Sequence, residues 1–501
     1  METLVGSIYK NNYKENKVAI SFKGENITYG QLDKAVCGYA AFFRSKGLKP
    51  HDKTVLLCTN SPEFVYCYLG IVKNGGIIIP ANLMLTIEEL THIVKDSEAS
   101  RMLIHPTVLK KTGRTTEEIS AALGVDVFVI DEKMKKEALA MASGDAAEFK
   151  EPEDENEVCT LLYTSGTTGK QKAAMLTHKN LVINSSQCHH GLAIVSEDDV
   201  YMCVLPMFHV FAFTACILMP LWEGATTVIL EEFQPKEVIA SLVRDDITVF
   251  MGVPAMYIVL LEAGKKNIKF PKLRMAISGG ASLPVEIYRQ CKEILRLPIV
   301  EGYGLTEAAP GAAFNPVDKQ KEGSIGLPLP TIDAKIFDDN DCEVGCNVVG
   351  ELVLRGENVM KGYYNQPEET AKALKNGWLH TGDLARMDED GYIFIVDRKK
   401  DMVVVSGMNV YPREIEEVIF KHPKVKETAV IGVHDRLRGE KVKAFVVLKE
   451  GEECTSSEIS AFLKERLAAF KLPKNIEFVD SLPKNGSGKI LKKLLKEQHS
   501  A

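Results

Sequence analysis

Short apolar, β-branched runs alternate with amphipathic stretches along most of this chain, and that alternation narrows the possible folds more than any other feature. The run 54–58 (TVLLC) leads into the helical pattern 63–73, which leads into 76–80 (GIIIP). Strands too short to be helices, separated by a helix length of chain, are the signature of parallel sheets covered by helices. The same reading places strands at 101–104, 125–130, 226–230, 247–250, 273–277 and 299–300.

With 501 residues the chain exceeds what a single hydrophobic core organises, so several subdomains are expected. From about residue 323 the texture changes to closely spaced strands with Gly, Asp and Asn turns, at 334–337, 349–355 and 392–396. After the charged run DRKKD (397–401) a compact α+β pattern begins. Pro412 opens a helix that carries Ile415, Val418 and Ile419 on one face, and 441–448 reads as a strand. The simplest division is a large multi-subdomain α/β domain over 1–399 and a small α+β domain over 400–501.

Composition excludes several classes of function. The net charge is -7 and offers no global attraction for nucleic acid or anionic membrane. It is uneven, +3 over 401–501 and -10 elsewhere, so the end piece is basic. A solvated lysine-rich surface and a face turned to an anionic ligand both fit that excess. The N-terminus lacks a basic segment followed by an apolar one, and no secretory signal is expected. Eleven scattered cysteines without zinc spacing fit reduced thiols in a cytoplasmic protein. The apolar stretch 208–222 contains His209 and is shorter than the roughly 20 residues of a spanning helix. It reads as buried core, and no transmembrane segment is expected.

The chemistry concentrates in YTSGTTGKQK, residues 163–172. A glycine- and hydroxyl-rich turn after a strand supplies N–H and O–H donors for phosphate oxygens, and lysine supplies charge. It is not a Walker loop, because Thr164 and Gln171 stand where that motif needs Gly and Ser or Thr. Taken alone, an ordinary loop and a phosphate cradle fit it equally well.

Further motifs follow in order: LPMFHVFA (205–212), SGGASLP (278–284), EGYGLTE (301–307), HTGDLA (380–385), VDRKKD (396–401) and PKNGSGKI (483–490). In this order and spacing, over nearly the whole chain, the sequence resembles the adenylate-forming enzymes, and among them the fatty acyl-CoA synthetases. The resemblance implies a large AMP- and acyl-binding domain and a mobile C-terminal lid. It also implies two half-reactions: a carboxylate attacks the α-phosphate of ATP to give acyl-AMP and pyrophosphate, then the thiol of CoA displaces AMP.

Roles follow from the same resemblance. Thr164, Ser165, Gly166, Thr167, Thr168 and Lys172 would hold the β- and γ-phosphates. Ser278, Gly279 and Gly280 would lie against adenine and the acyl group. In the strip Glu301, Gly302, Tyr303, Gly304, Tyr303 would stack on adenine, Thr306 would contact the α-phosphate and Glu307 would hold Mg2+, a cation that prefers oxygen ligands. Asp383 and Arg398 would bind the ribose, although an Asp after Gly ordinarily marks a turn. Lys489 would be the catalytic lysine, its charge meeting the carboxylate and the α-phosphate. Lys400 would be the hinge on which the lid rotates between adenylating and thioester-forming poses. Ser406 and Gly407 would then line the CoA tunnel, glycine allowing close approach.

For the acyl tail the resemblance points to His209, Phe211, Phe213, Val253, Gly280, Ala308, Ala309 and Gly311. They include no Lys or Arg, which argues against a dicarboxylic acid. A histidine here is equally well a satisfied core residue. Two positions depart from the family pattern in the phosphate loop, Gln171 and Ala173, and the methyl of Ala173 is expected near the nucleotide. A third departure is His434, in place of the more usual proline.

The reading is an ATP- and Mg2+-dependent ligase that joins medium- to long-chain fatty acids to CoA. Its partners are a carboxylic acid, ATP and CoA, with no nucleic acid, and a homodimer is compatible with it. An aryl-acid ligase, an enzyme that loads a carrier protein, and a lipid-binding pseudoenzyme are the alternatives.

Overall fold

Among the described residues four β-sheets form, and the expected alternation builds the first two. The structure is a computed structural model that describes residues 2–143, 151–165, 171–435, 439–484 and 489–499. One sheet runs, in spatial order, Gly362–Tyr363, Gln171–Thr177, Val158–Ser165, Ile77–Pro80, Lys53–Leu57, Arg101–Ile104 and Asp126–Val129. Its last four strands are parallel neighbours joined by helical crossovers, as buried parallel strands require.

The second sheet has nine strands with a parallel centre, in the order Met275–Ser278, Val249–Gly252, Val200–Cys203, Thr226–Ile229 and Val18–Phe22. Val200–Cys203 is absent from the strands expected above, yet it lies in the middle of this sheet. Two expected strands begin two residues further on, at Val249 and Met275, and their parallel pairing continues to Gly252 opposite Ser278.

The helix Pro62–Lys73 shows how local signals and burial combine. Ser61 caps it by accepting from the Phe64 amide at 3.4 Å, and Pro62 occupies the first turn, where no N–H is needed. Phe64, Val65, Cys67, Leu69, Ile71 and Val72 are all buried, so apolar residues surround the helix.

The stretch 208–222 is buried as expected, but it is not one regular helix. Helix Val210–Phe213 passes through a π-helical turn, Thr214–Leu218, into Met219–Glu223. Pro220 has no N–H for the Cys216 carbonyl four residues back, and that carbonyl accepts from Thr227 Oγ1 at 2.9 Å instead.

A third sheet is antiparallel and contains Asp333–Phe337, Gly350–Arg355, Trp378–Met387 and Ile393–Arg398. After Arg398 the chain enters a C-terminal domain with its own sheet, Met408–Val410, Val403–Val405, Gly439–Leu448, Val425–Asp435 and Asn475–Phe478. The expected helix forms over Pro412–Phe420, and Ile415 and Ile419 anchor a separate hydrophobic core with Val403, Val430, Val442 and Leu463.

Candidate active site

Asp383 lies inside the strand Trp378–Met387 rather than in a turn, directly opposite Arg398 on the neighbouring strand. Gly382 before it has a φ of +72° and donates its N–H to Glu351 Oε1 at 3.0 Å. Asp383 Oδ2 accepts from the Tyr303 hydroxyl at 2.6 Å, and Arg398 Nε stands 3.5 Å from Oδ1. One carboxylate thus joins the strand of EGYG to the strands of HTGD and VDR.

Lys489 of the C-terminal domain reaches the same cluster. Burial, reinforced by the nearby charge of Arg398, lowers its pKa to about 8. The charge of Lys489 is also felt by His209, whose pKa is held at about 4 first by burial and then by that lysine. His209 is therefore a neutral imidazole at physiological pH. The charges of Lys489, Arg398 and Asp383 act on one another and that of Lys489 acts on His209, so four separate motifs lie within electrostatic range.

A second group forms on the phosphate side. Strands Val158–Ser165 and Gln171–Thr177 are an antiparallel hairpin with Thr164 opposite Lys172, and Gly166, Thr167 and Thr168 lie outside the described residues. Lys172 is ion-paired with Glu369 and lies 5.2 Å from the centre of the Tyr363 ring. Hydrogen bonds from Lys172 and Lys372 hold the Glu369 carboxyl at about 2. Tyr363 in turn donates to Glu307 Oε1 at 2.8 Å. Tyr363 and Glu369 escape sequence reasoning because no motif marks them and Glu369 lies 197 positions from Lys172.

Ala173 corrects an expectation. Its side chain is fully buried in the core formed by Val55, Ile79, Ile93 and Leu161, while Lys172 turns toward Tyr363 and Glu369. Successive strand residues face opposite sides, so the extra methyl points into the core and away from the lysine's side of the strand.

The glycines of EGYGLTE are also explained by packing. They lie in the strand Ile299–Gly304 with no positive φ, so they do not form a turn. A Cβ on Gly302 would come within 2.3 Å of the Phe314 ring, and one on Gly304 within 2.2 Å of the Pro310 carbonyl oxygen. Glu301 is buried and accepts from the Leu283 amide at 3.1 Å, and burial raises its carboxyl to about 7. It braces the SGGASLP loop from beneath. Thr306 begins the short 3-10 turn Thr306–Ala308, and the Glu307 carbonyl accepts from the Met360 amide at 2.8 Å.

The residues expected around the acyl tail do not form a single group. Phe211 covers Gly279, where an added Cβ would meet its ring at 3.1 Å, and Val253 lies beside Gly280. His209 and Phe213, four residues apart, face another way and line a small apolar cavity of about 10 Å³ with Tyr68, Thr160, Leu181 and Thr214. The Phe213 ring packs 4.0 Å, centre to centre, from Tyr68. Ala308 and Ala309 are buried, and the Ala309 carbonyl accepts from Thr214 Oγ1 at 3.2 Å. Gly311 packs instead against Cys188, Leu329 and Asn184.

Ser406 and Gly407 form the exposed two-residue turn of the hairpin Val403–Val405 and Met408–Val410, with φ of +51° and +81°. Such a turn needs positive φ at both positions, and a Cβ on Gly407 would meet nothing within 4 Å. The positive φ by itself favours glycine there. Lys400 is exposed in the turn that closes on the Arg398 carbonyl, and Asp401 in that turn is ion-paired with Lys496 at 3.2 Å.

Two linked domains, a carboxylate shared between tyrosine and arginine, and a lysine carried in from the C-terminal domain define a nucleotide-dependent, adenylate-forming enzyme. The chain belongs to the family of AMP-binding enzymes, whose profile matches residues 9–364, and the profile of the AMP-binding enzyme C-terminal domain matches residues 414–489. Within that family it is an acid–thiol ligase of the AMP-forming kind. It is 35% identical to a long-chain-fatty-acid–CoA ligase of Bacillus subtilis (strain 168), over 97% of this chain and 92% of that one. A feruloyl-CoA synthase of an Amycolatopsis species is also 35% identical, over 95% and 94%. The structure of ATP-bound MatB from Rhodopseudomonas palustris superposes with a TM-score of 0.92 at 31% identity, covering 100% of this chain and 99% of that one.

Proposed function

We propose that the chain activates a medium- to long-chain fatty acid with ATP and transfers the acyl group to CoA. The observation that carries this reading is Asp383 held between Tyr303 and Arg398, with the charge of Lys489 acting on the same carboxylate. A protonated Lys489 would neutralise the charge that builds on the α-phosphate as the carboxylate attacks. Asp383 would accept from the ribose hydroxyls, with Tyr303 and Arg398 fixing its orientation. Lys172 and the hydroxyls around Thr164 would order the leaving pyrophosphate.

Glu307 fits Mg2+. Among the described residues no group of three acidic, His or Cys side chains gathers around it, and Mg2+ is commonly held by one or two carboxylates plus substrate phosphates. Bound there, the ion would offset phosphate charge, and Tyr363 would orient the carboxylate that holds it.

An alkyl tail is supported by the apolar side chains Phe211 and Val253 beside Gly279 and Gly280. Burying such a chain contributes about 0.8 kcal/mol per CH2. Aryl acids are the second reading, favoured by the similarity to a feruloyl-CoA synthase. We place the protein in the cytoplasm on the strength of its eleven free thiols. Among the described residues no helix is long and apolar enough to cross a membrane.

The test is acid-dependent ATP/pyrophosphate exchange with acids from acetate to stearate and with substituted benzoates and cinnamates, repeated with CoA. Exchange and CoA-dependent AMP release that peak with fatty acids support the proposal. A peak with aryl acids selects the second reading, and no exchange with any acid rejects both.

A further inference from the structure

Two carboxylates accept from amides two residues apart, one near the end of the SGGASLP loop and one at the first residue of the helix Val285–Gln290. Glu301, on the large-domain strand, accepts from the Leu283 amide at 3.1 Å. Glu417, on the C-terminal helix Pro412–Phe420, accepts from the Val285 amide two residues on, at 3.5 Å. The segment they hold continues directly from Ser278, Gly279 and Gly280. Arg413 lies one helical turn before Glu417, and its charge acts on both carboxylates. Its own contacts cross the domain boundary: Nη1 donates to the Ile395 carbonyl at 2.8 Å, and its amide donates to Asp397 Oδ2 at 2.9 Å.

The helix is also tied to the catalytic lysine's segment. Glu416, beside Glu417, pairs with Lys492 at 2.7 Å, three residues beyond Lys489. A continuous path therefore runs from the Val285 amide through Glu417, the helix, Glu416 and Lys492 to Lys489. We propose that Glu417 is a positioning residue that seats the C-terminal domain on the start of the helix Val285–Gln290 and thereby holds Lys489 near Asp383 and Arg398. Burial raises both the Glu301 and the Glu417 carboxyls, as expected where a domain seam excludes water. The seat matters only for the step that uses Lys489, so its loss separates the two half-reactions.

This inference rests on the ligase reading, and its test keeps the two apart. In Glu417→Ala, acid-dependent pyrophosphate exchange should fall about tenfold through kcat with KM for ATP nearly unchanged, as when a group that orders the transition state is lost. Conversion of preformed acyl-AMP to acyl-CoA should be unaltered. Glu417→Gln keeps an oxygen for the Val285 amide and should restore most of the exchange. Hydrogen exchange on the full chain gives a readout independent of turnover: Glu417→Ala should speed exchange in the peptides covering 283–290 and 413–420. Equal loss of both half-reactions, or no loss of either, overturns the proposal. If the wild-type chain activates no acid, the ligase reading fails and the amides decide: faster exchange at 283–290 in Glu417→Ala sustains the seat, and unchanged exchange removes it.

Discussion

The Tyr303 hydroxyl and the Asp383 carboxylate, 80 positions apart in the chain, meet at 2.6 Å. Arg398 holds the other oxygen of that carboxylate at 3.5 Å, so its orientation is fixed from two sides. Asp383→Asn keeps the size but loses the charge. A hydrogen bond to a charged group contributes about 1.5–3 kcal/mol, so ATP affinity should weaken roughly 10- to 100-fold. Calorimetric titration of ATP measures it, and an unchanged affinity would remove Asp383 from the nucleotide site.

Adenylation should depend on the protonation of Lys489. With its pKa lowered to about 8, the ammonium is present below that pH and is lost as pH rises through it. The exchange rate should therefore fall above about pH 8, while conversion of preformed acyl-AMP keeps its rate. Lys489→Arg should be slower but show no such limb, because guanidinium does not titrate there. A limb that persists in the arginine variant would point to another group, with Glu301, near 7, the first to consider.

Ala173→Gly should act on stability and leave ATP binding alone. The methyl is buried in the core on the face away from Lys172. Losing it and loosening the strand backbone should cost about 1.5 kcal/mol. Chemical denaturation would record the cost, and a tenfold gain in ATP affinity would return the methyl to the nucleotide site.

Phe211→Ala should change which acids are used. The ring lies over Gly279, and removing it opens space beside Val253 and Gly280. The preference for long or branched acids over short ones, measured as a ratio of kcat/KM values, should rise about tenfold, within the range expected of a hydrophobic pocket. KM for ATP should stay within a factor of two. A unchanged ratio would assign Phe211 to packing alone.

Gly304→Ala should destabilise the chain whatever its substrates. The new Cβ would fall 2.2 Å from a backbone oxygen of Pro310, which cannot rotate away as a side chain could. A loss of about 1–3 kcal/mol in urea unfolding is expected, as for other overpacked sites.

The sequence by itself determined the α/β class, the α+β end piece and the motifs from Thr164 to Lys489, because hydrophobic period and local residue type are properties of neighbouring positions. It placed Asp383 and Arg398 in the site without showing that they face one another across two strands. Tertiary structure alone decided three things. It turned Ala173 into one apolar core and Lys172 to the opposite face, against Tyr363 and Glu369, since strand pairing sets which face of an alternating strand is that core. It brought Tyr363 and Glu369 to Lys172 and Glu307, and Glu417 to Val285, contacts between residues too distant in the chain for any local pattern to reveal. It also set Phe213 against Tyr68 and Phe211 over Gly279, contacts with elements far away in the chain.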